Sequence, residues 1–451
     1  MTVVETMSGI LAVLLAASSG PPVCSPSDHG GRPGDDISDT VAIQRAVDVC
    51  KGTGGTVSLA PGQWETGPLQ FGSDMTFRLE EGAVLALIPD IELYPADPRT
   101  RSDDLRRQAF FADKVRRLTF EGPGVIEGRG ASFWDENFYE TGLKRPTLPR
   151  PAPTLAIVES EDVVIRNLTL RNLPGFGIAF VGSSDSLVEG VTIRNDQRSP
   201  NTDGIQIRNS SRITVRGADI ETGDDGIVLK SNGRRVDRIL VEDSRIVSDD
   251  GAIKFGTGSR VGVTNSVFRN IDIEDSRYGV AIFMIDGGHH DNNLFEDIQI
   301  KTGGRHTRTY PIFVDIDRRE VDRSLGKITG LTFRDLTVRS SGGSLIAGNP
   351  RAKIKGLVLE RVSVEPSGEP DEPLDRSGKP RGNKNIRDQE GSVDYSDVRA
   401  EFVIAHTDSI ELSSVSLPGC QRDAARDGLV LIDAEADLSE VENAKGCPST
   451  D

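Results

Sequence analysis

The sequence predicts an all-β fold, a right-handed parallel β-helix in which short strands coil into a solenoid, with a capping helix at its N-terminal end. Three observations carry this. Apolar and polar residues alternate in segment after segment, equivalent positions recur at a near-constant interval, and glycine is abundant (48 residues) while aromatic residues make up only 5%. Many short strands and turns accommodate that glycine content better than a helical bundle does.

The alternation is plain in VVIRNLTLRN (163–172), RITVRGADIET (212–222), SVFRNIDIED (266–275) and LTFRDLTVRS (331–340). Period-two patterning with many β-branched residues means strands. Phe268 to Phe295 spans 27 residues and Phe333 to Leu359 spans 26, the length of one solenoid coil. Each coil can bury its inward row only on its neighbours, with strands stacked about 4.8 Å apart.

A solenoid needs a plug, because an open end exposes apolar side chains and unpaired strand edges. SDTVAIQRAVDVCKGTGG (38–55) supplies one: a helix begun by Ser or Asp, carrying Val41, Ile43, Ala46, Val47 and Val49, and stopped by glycines. Residues 366–400, rich in Pro, Gly and charge, lose the repeat and read as a loop inserted between late coils. Residues 24–451 are therefore expected to form one β-helix domain, preceded by a leader at 1–23.

That leader contains SGILAVLLAAS (8–18), an apolar run of signal-peptide length with Glu5 but no Lys or Arg before it. It points to a secreted or periplasmic protein. The run is too short to span a membrane, and nothing comparable follows. Cys24, Cys50, Cys420 and Cys447 lack the spacing of a metal site. A Cys420–Cys447 bridge and four unpaired thiols with Cys50 buried are both open. With 70 acidic against 53 basic residues, a net charge of −17, the chain repels nucleic acid. It is expected to act as a monomer, without cofactor or metal.

The chemistry is concentrated in NTDGIQIRNSSRITVRGADIETGDDGIVLKS (201–231). Asp203-Gly204-Ile205 and Asp225-Gly226-Ile227 repeat one phrase at strand mouths 22 residues apart (203 to 225), and Asp224 adds a second carboxylate. If Ile205 and Ile227 stack inward, Asp203 and Asp225 sit roughly 5 Å apart. Adjacent side chains normally face opposite ways, so Asp224 can share the cleft only if Gly223 and Gly226 let the backbone turn. Such a cluster suits acid–base hydrolysis of a glycosidic bond: mutual repulsion holds a proton on one carboxyl while another, ionised, activates water. Asp-Gly pairs are also ordinary turn residues, which is the structural alternative.

With NTDGIQI and TGDDGIVLKS go GDDISDTVAIQRAVDVCKGTGGTVSLAPGQWETGPLQF (34–71) and FEGPGVIEGRGASFW (120–134). Together these motifs resemble glycoside hydrolase family 28, the polygalacturonases and their relatives, whose scaffold is the single-stranded, pectin-lyase-like solenoid. The resemblance implies Asp224 as general acid, Asp203 and Asp225 on the water, Asn201 orienting the cluster, and α-linked galacturonic acid in pectin as substrate. It also implies a Gly-His-Gly one coil later, where this chain has Asp249 and Asp250. An Arg-Ile-Lys is implied after that, where Ala281 and Phe283 replace the two cations that bind the substrate carboxylate.

Arg208, Lys230 and Lys254 all alternate outward near the same cleft and are candidates to replace those cations, or to brace the aspartates as salt-bridge partners. Aligning the Asp-Gly phrases stacks Asp250 on Asp225. Aligning the inward apolar residues shifts that coil by one and implies a bulge near Ala252, which leaves Asp250 open as a site carboxylate or a turn residue. Trp134 would stack on a sugar or anchor a loop. His289 and His290 read as a solvated loop pair.

The expected activity is inverting hydrolysis of a pectic polysaccharide or oligosaccharide. A polysaccharide lyase, with Lys254 or Lys230 as base, and a non-catalytic glycan-binding solenoid are the alternatives. The apparent lack of further Lys and Arg near the aspartates weighs against the lyase.

Overall fold

The computed structural model describes residues 20–95, 107–138, 144–146, 149–306, 308–319, 323–367, 395, 398, 400–418 and 427–444. Most of the leader, nearly all of the 366–400 insertion, and Cys420 and Cys447 lie outside them. Among the described residues no helix is long and apolar enough to cross a membrane.

Parallel pairing at coil intervals builds the right-handed β-helix. Ile178 pairs with Ile205, Ile205 with Ile227, and Ile227 with Ile253, so one inward row runs down the stack. The other rows do the same, and their buried side chains form a single core cluster from Cys24 to Leu417. The 27-residue interval appears directly as Phe268 stacked on Phe295, with ring centroids 4.8 Å apart, and Phe295 on Phe333 at 5.1 Å. Those distances are the strand spacing itself.

The N-terminal helix is Thr40–Cys50, buried through Ala42, Ile43, Ala46, Val47 and Cys50. Val41 and Val49, read as part of its apolar face, are instead exposed at 61% and 55%, being on the opposite side of the 3.6-residue turn. Asp39 starts the helix without capping it: its carboxylate accepts from Arg32 N and Glu65 N and ties the plug to the first coil. The reading of four unpaired thiols is corrected here. Cys24 and Cys50 form a disulfide, with Cα atoms 6.1 Å apart, because the strand Val23–Cys24 pairs beside the helix end.

One element was not anticipated from the sequence. At the end of the second strand of each coil, charges alternate down the stack in the order Arg78, Glu121, Arg166, Glu189, Arg216, Glu242, Arg269, Glu296, Arg334, Glu360, each paired in register with the next. Glu242 sits between Arg216 and Arg269 at 2.6 Å from each. A one-coil slip would place like charges together, so the ladder enforces the pairing order as the apolar rows enforce inside from outside. From Arg166 on, the residue after each charge turns the chain with positive φ, as at Asn167, Asp243, Asn270, Asp297 and Asp335. Asparagine and aspartate tolerate that conformation better than other side chains.

Glu242→Arg would set three cations in a row. Its folding stability should fall by roughly 1–2 kcal/mol, from two cross-strand pairs of up to ~1 kcal/mol each. Equilibrium denaturation at low and high salt checks this, with the larger loss at low salt.

Candidate active site

Three consecutive coils build the site, through the strands Ile205–Arg208, Ile227–Lys230 and Gly251–Phe255. The pairing Ile205–Ile227 sets Asp203 against Asp225, and Gly204 N donates to Asp225 O at 2.9 Å. For the third coil the apolar rows win: Ile227 pairs with Ile253 and Leu229 with Phe255, with no register shift. The expected bulge near Ala252 is therefore absent, and Asp250 falls on the row of Asp224 rather than that of Asp225. Burial decides this, since the other register would turn Ile253 and Phe255 outward.

The glycines around the aspartates serve close approach rather than an unusual turn. A Cβ on Gly204 would meet Gly226 O at 2.6 Å, one on Gly226 would meet Ala252 O at 2.6 Å, and one on Gly223 would meet Ser199 O at 2.3 Å. Hydroxyls hold the bend instead. Asp224 O accepts from Thr222 Oγ1 and Ser248 Oγ, both at 2.7 Å, and Thr202 Oγ1 accepts from Gly223 N at 3.0 Å. Asp225 N donates to Asp224 Oδ1 at 2.9 Å, which turns the two neighbouring carboxylates toward one cleft.

Carboxylate oxygens of Asp224, Asp225 and Asp250 lie within 4.8 Å of one another, so Asp250 joins the cluster. Lys254 stands between two of them, its Nζ 2.8 Å from Asp225 Oδ1 and 2.5 Å from Asp250 Oδ2. Arg277 approaches Asp250 at 3.7 Å. Asn201 Nδ2 donates to Asp224 Oδ2 at 3.0 Å and is itself held by Arg150, which donates to Asn201 Oδ1 at 2.8 Å. Asp203 accepts from Gln206 Nε2 at 2.5 Å.

These contacts separate the carboxyls electrically. Burial, reinforced by the charge of Asp203, pushes Asp224 up to about 7 against the pull of Lys254 and Lys230. Burial also raises Asp225, with Lys254 working against it. For Asp250 burial is outweighed by Lys254 and Arg277, which hold it well below the usual carboxylate range. Lys254 is buried too, yet Asp225 and Asp250 keep its ammonium above its ordinary value. Near neutral pH the site thus has a half-buried carboxyl, Asp224, retaining a proton beside the ionised, ion-paired carboxylate of Asp250, the separation that acid–base catalysis requires.

Arg208 and Lys230 pair across adjacent coils and face the cleft half-buried, with the Arg208 guanidinium 5.5 Å from the Phe176 ring centroid. Burial lowers Lys230 while Asp203 opposes the shift. Trp134 anchors a loop: it is 9% exposed, its indole N–H donates to Pro174 O at 2.9 Å, and Lys144 lies over its ring. Asp249 stands outside the cluster, bound by Arg305 and His306. His290 is no solvated loop residue. It is buried, accepts from Val263 N through Nδ1 and meets Phe255 edge-on, and burial lowers it to about 3.

Arg150, Gln206, Arg277 and the hydroxyls of Thr202, Thr222 and Ser248 were missed. Gln206 could have been found, lying outward three residues after Asp203; Arg150 and Arg277 come from distant segments and carried no local signal. They also correct the expectation that no further cations approach the aspartates.

Residues 65–358 match the family described as Glycosyl hydrolases family 28. The chain belongs to that family. This family 28 glycoside hydrolase is 25% identical over 371 residues to a polygalacturonase of Malus domestica, covering 78% of this chain and 76% of the relative. It is 23% identical over 363 residues to an endo-polygalacturonase of Pectobacterium carotovorum subsp. carotovorum, covering 73% and 85%. In fold it is similar to a hyperthermoactive exopolygalacturonase of Thermotoga maritima, with a TM-score of 0.65 at 19% identity over 77% of this chain and 88% of that one.

Two outcomes are expected. Lys254→Met leaves the buried Asp225 without its counter-charge and Asp250 with Arg277 alone, and should cost about 3–5 kcal/mol of folding stability, measured by denaturant titration at neutral pH. Asp224 has its pKa raised from 3.8 to about 7, so the folded state holds a proton that the unfolded chain has lost in that window. Stability therefore falls as pH rises between those values. Asp224→Asn removes this loss: its melting temperature should match the parent below pH 3.8 and exceed it above pH 7.

Proposed function

We propose that the chain hydrolyses α-linked, uronic-acid-containing pectic polysaccharide or oligosaccharide with inversion, as its polygalacturonase relatives' names suggest. The observation that carries this is the pairing of a cleft carboxyl that keeps its proton to about pH 7, Asp224, with the lysine-bound carboxylate of Asp225 beside it.

In this reading Asp224 gives its proton to the glycosidic oxygen as that oxygen leaves the anomeric carbon. A water, losing its proton to Asp203 or Asp225, forms the new bond from the opposite face. Inversion needs room for that water, typically 6.5–9.5 Å between acid and base. The tight trio is closer than that, which favours Asp203, on the preceding coil, as the group that reaches the water. Asn201, held by Arg150, keeps the Asp224 carboxyl aimed. Arg208 and Lys230 supply positive charge for a substrate carboxylate. The Cys24–Cys50 disulfide suits an oxidising compartment, in keeping with the apolar N-terminal run as an export leader.

Elimination is less well supported, because Lys254 holds its proton against two carboxylates and is a poor base. Purified protein incubated with polygalacturonate, rhamnogalacturonan and unsaturated oligogalacturonides should release reducing ends without new absorbance from unsaturated products. The first product should carry the inverted anomeric configuration by NMR. Asp224→Asn should slow release by ~10²–10⁴-fold. Rising absorbance would move the reading to a lyase, and silence on every glycan would favour a binding solenoid.

A further inference from the structure

The sheet that carries the aspartates has two outward rows, and the one that includes Arg208 and Lys230 changes character within two coils. The first runs from Arg208 and Lys230 to Phe283, Asp315 and Ala347: Arg208 pairs with Lys230 and Phe283 with Asp315 and then Ala347, and the two groups are linked through Phe255, which pairs with Leu229 just before Lys230 and with Ile282 just before Phe283. Arg208 and Lys230 are half-buried, but Phe283 is 6% exposed and Asp315 and Ala347 are fully buried. The second row, Ala179, Gln206, Val228, Lys254, Ala281, Phe313 and Leu345, is buried along its length apart from the half-buried Lys254, so the transition lies in the first row. Outward positions of a β-helix strand have no solenoid core to enter, so something else covers them.

That cover is a second apolar cluster outside the solenoid. Tyr278 stacks on Tyr310 with centroids 5.1 Å apart, Phe283 packs on Phe313 at 5.0 Å, and buried Tyr395 closes over them with Val398 against the cluster. Tyr395 and Val398 lie within the insertion that interrupts the repeat. Below the wall, Lys254 lies 5.5 Å from the Phe283 ring centroid, so the apolar cluster begins where the catalytic ion pairs end.

We infer that the substrate groove is closed on its C-terminal side by this wall, so that the chain cleaves at polysaccharide ends and releases short products of fixed size. The inference rests on the hydrolase reading above. From the coil of Asp225 and Lys230 to that of Phe283 is two strand spacings, about 10 Å, enough for roughly one or two sugar rings between the scissile bond and the wall. A polymer could continue only in the other direction, over Lys230, Arg208 and Val181. Phe283 thus acts as a specificity-determining residue at the end stop, with the buried Tyr395 packed in the same cluster behind it.

Long polygalacturonate and rhamnogalacturonan, incubated with the full chain, test this when viscosity and product size are followed together. Mono- or disaccharide should dominate from the earliest time points, with reducing ends rising by an order of magnitude while viscosity loses less than half of its starting value. A ladder of intermediate oligomers with rapid loss of viscosity overturns the closed groove and leaves the hydrolase reading intact. No release from either polymer, with the shorter oligogalacturonides also untouched, overturns the hydrolase reading and this inference with it.

Discussion

Main-chain hydrogen bonds hold each coil to the next at a repeat of about 4.8 Å, and everything in the cleft depends on the register of those bonds. The side-chain period along a strand is two, so a shift of one residue would exchange the core row for the cleft row. Ile227 opposite Ile253 brings Asp250 and Lys254 to the cluster together. The alternative would have buried that lysine in the core and exposed a phenylalanine. The Arg–Glu ladder on the second sheet adds a constraint of another kind, because it distinguishes neighbouring coils that the apolar rows treat alike.

Charge in the cleft is balanced locally rather than overall. The chain carries −17, yet the aspartates stand among Lys254, Lys230, Arg208, Arg277 and Arg150. Lys254 and Arg277 are committed to Asp225 and Asp250, while among the described residues no cation pairs with Asp224, which keeps its proton. Asp249 and Asp250 do not simply add negative charge to this region, since Arg305 and His306 take the first and Lys254 and Arg277 the second.

The solenoid supplies a long, regular outward surface, and the fold uses it in two ways. Half is left as a groove with charged walls; the rest is converted by aromatic residues into a second packed layer. A regular repeat would have given a uniform trough. The break in the repeat at the insertion, with Tyr395 laid back on the strands, makes the trough end where the ion pairs end.

The sequence by itself determined the coil length, the inward rows, the N-terminal plug and the pairing of Asp203 with Asp225, because each follows from local periodicity or a repeated phrase. It also exposed Arg208, Lys230 and Lys254 as cleft-facing candidates, since alternation fixes which way a strand residue points, while Asn201 came from the family resemblance. Only the tertiary structure decided that Cys24 bonds Cys50, that Asp250 rather than Asp203 completes the tight trio, that Trp134 is a loop anchor and that His290 is core. Those outcomes depend on which coil neighbours which and on segments such as Arg150 and Arg277 arriving from elsewhere in the chain. Sequence spacing encodes the period of a stack; contacts between its turns and loops are made in three dimensions, and leave no local periodic trace.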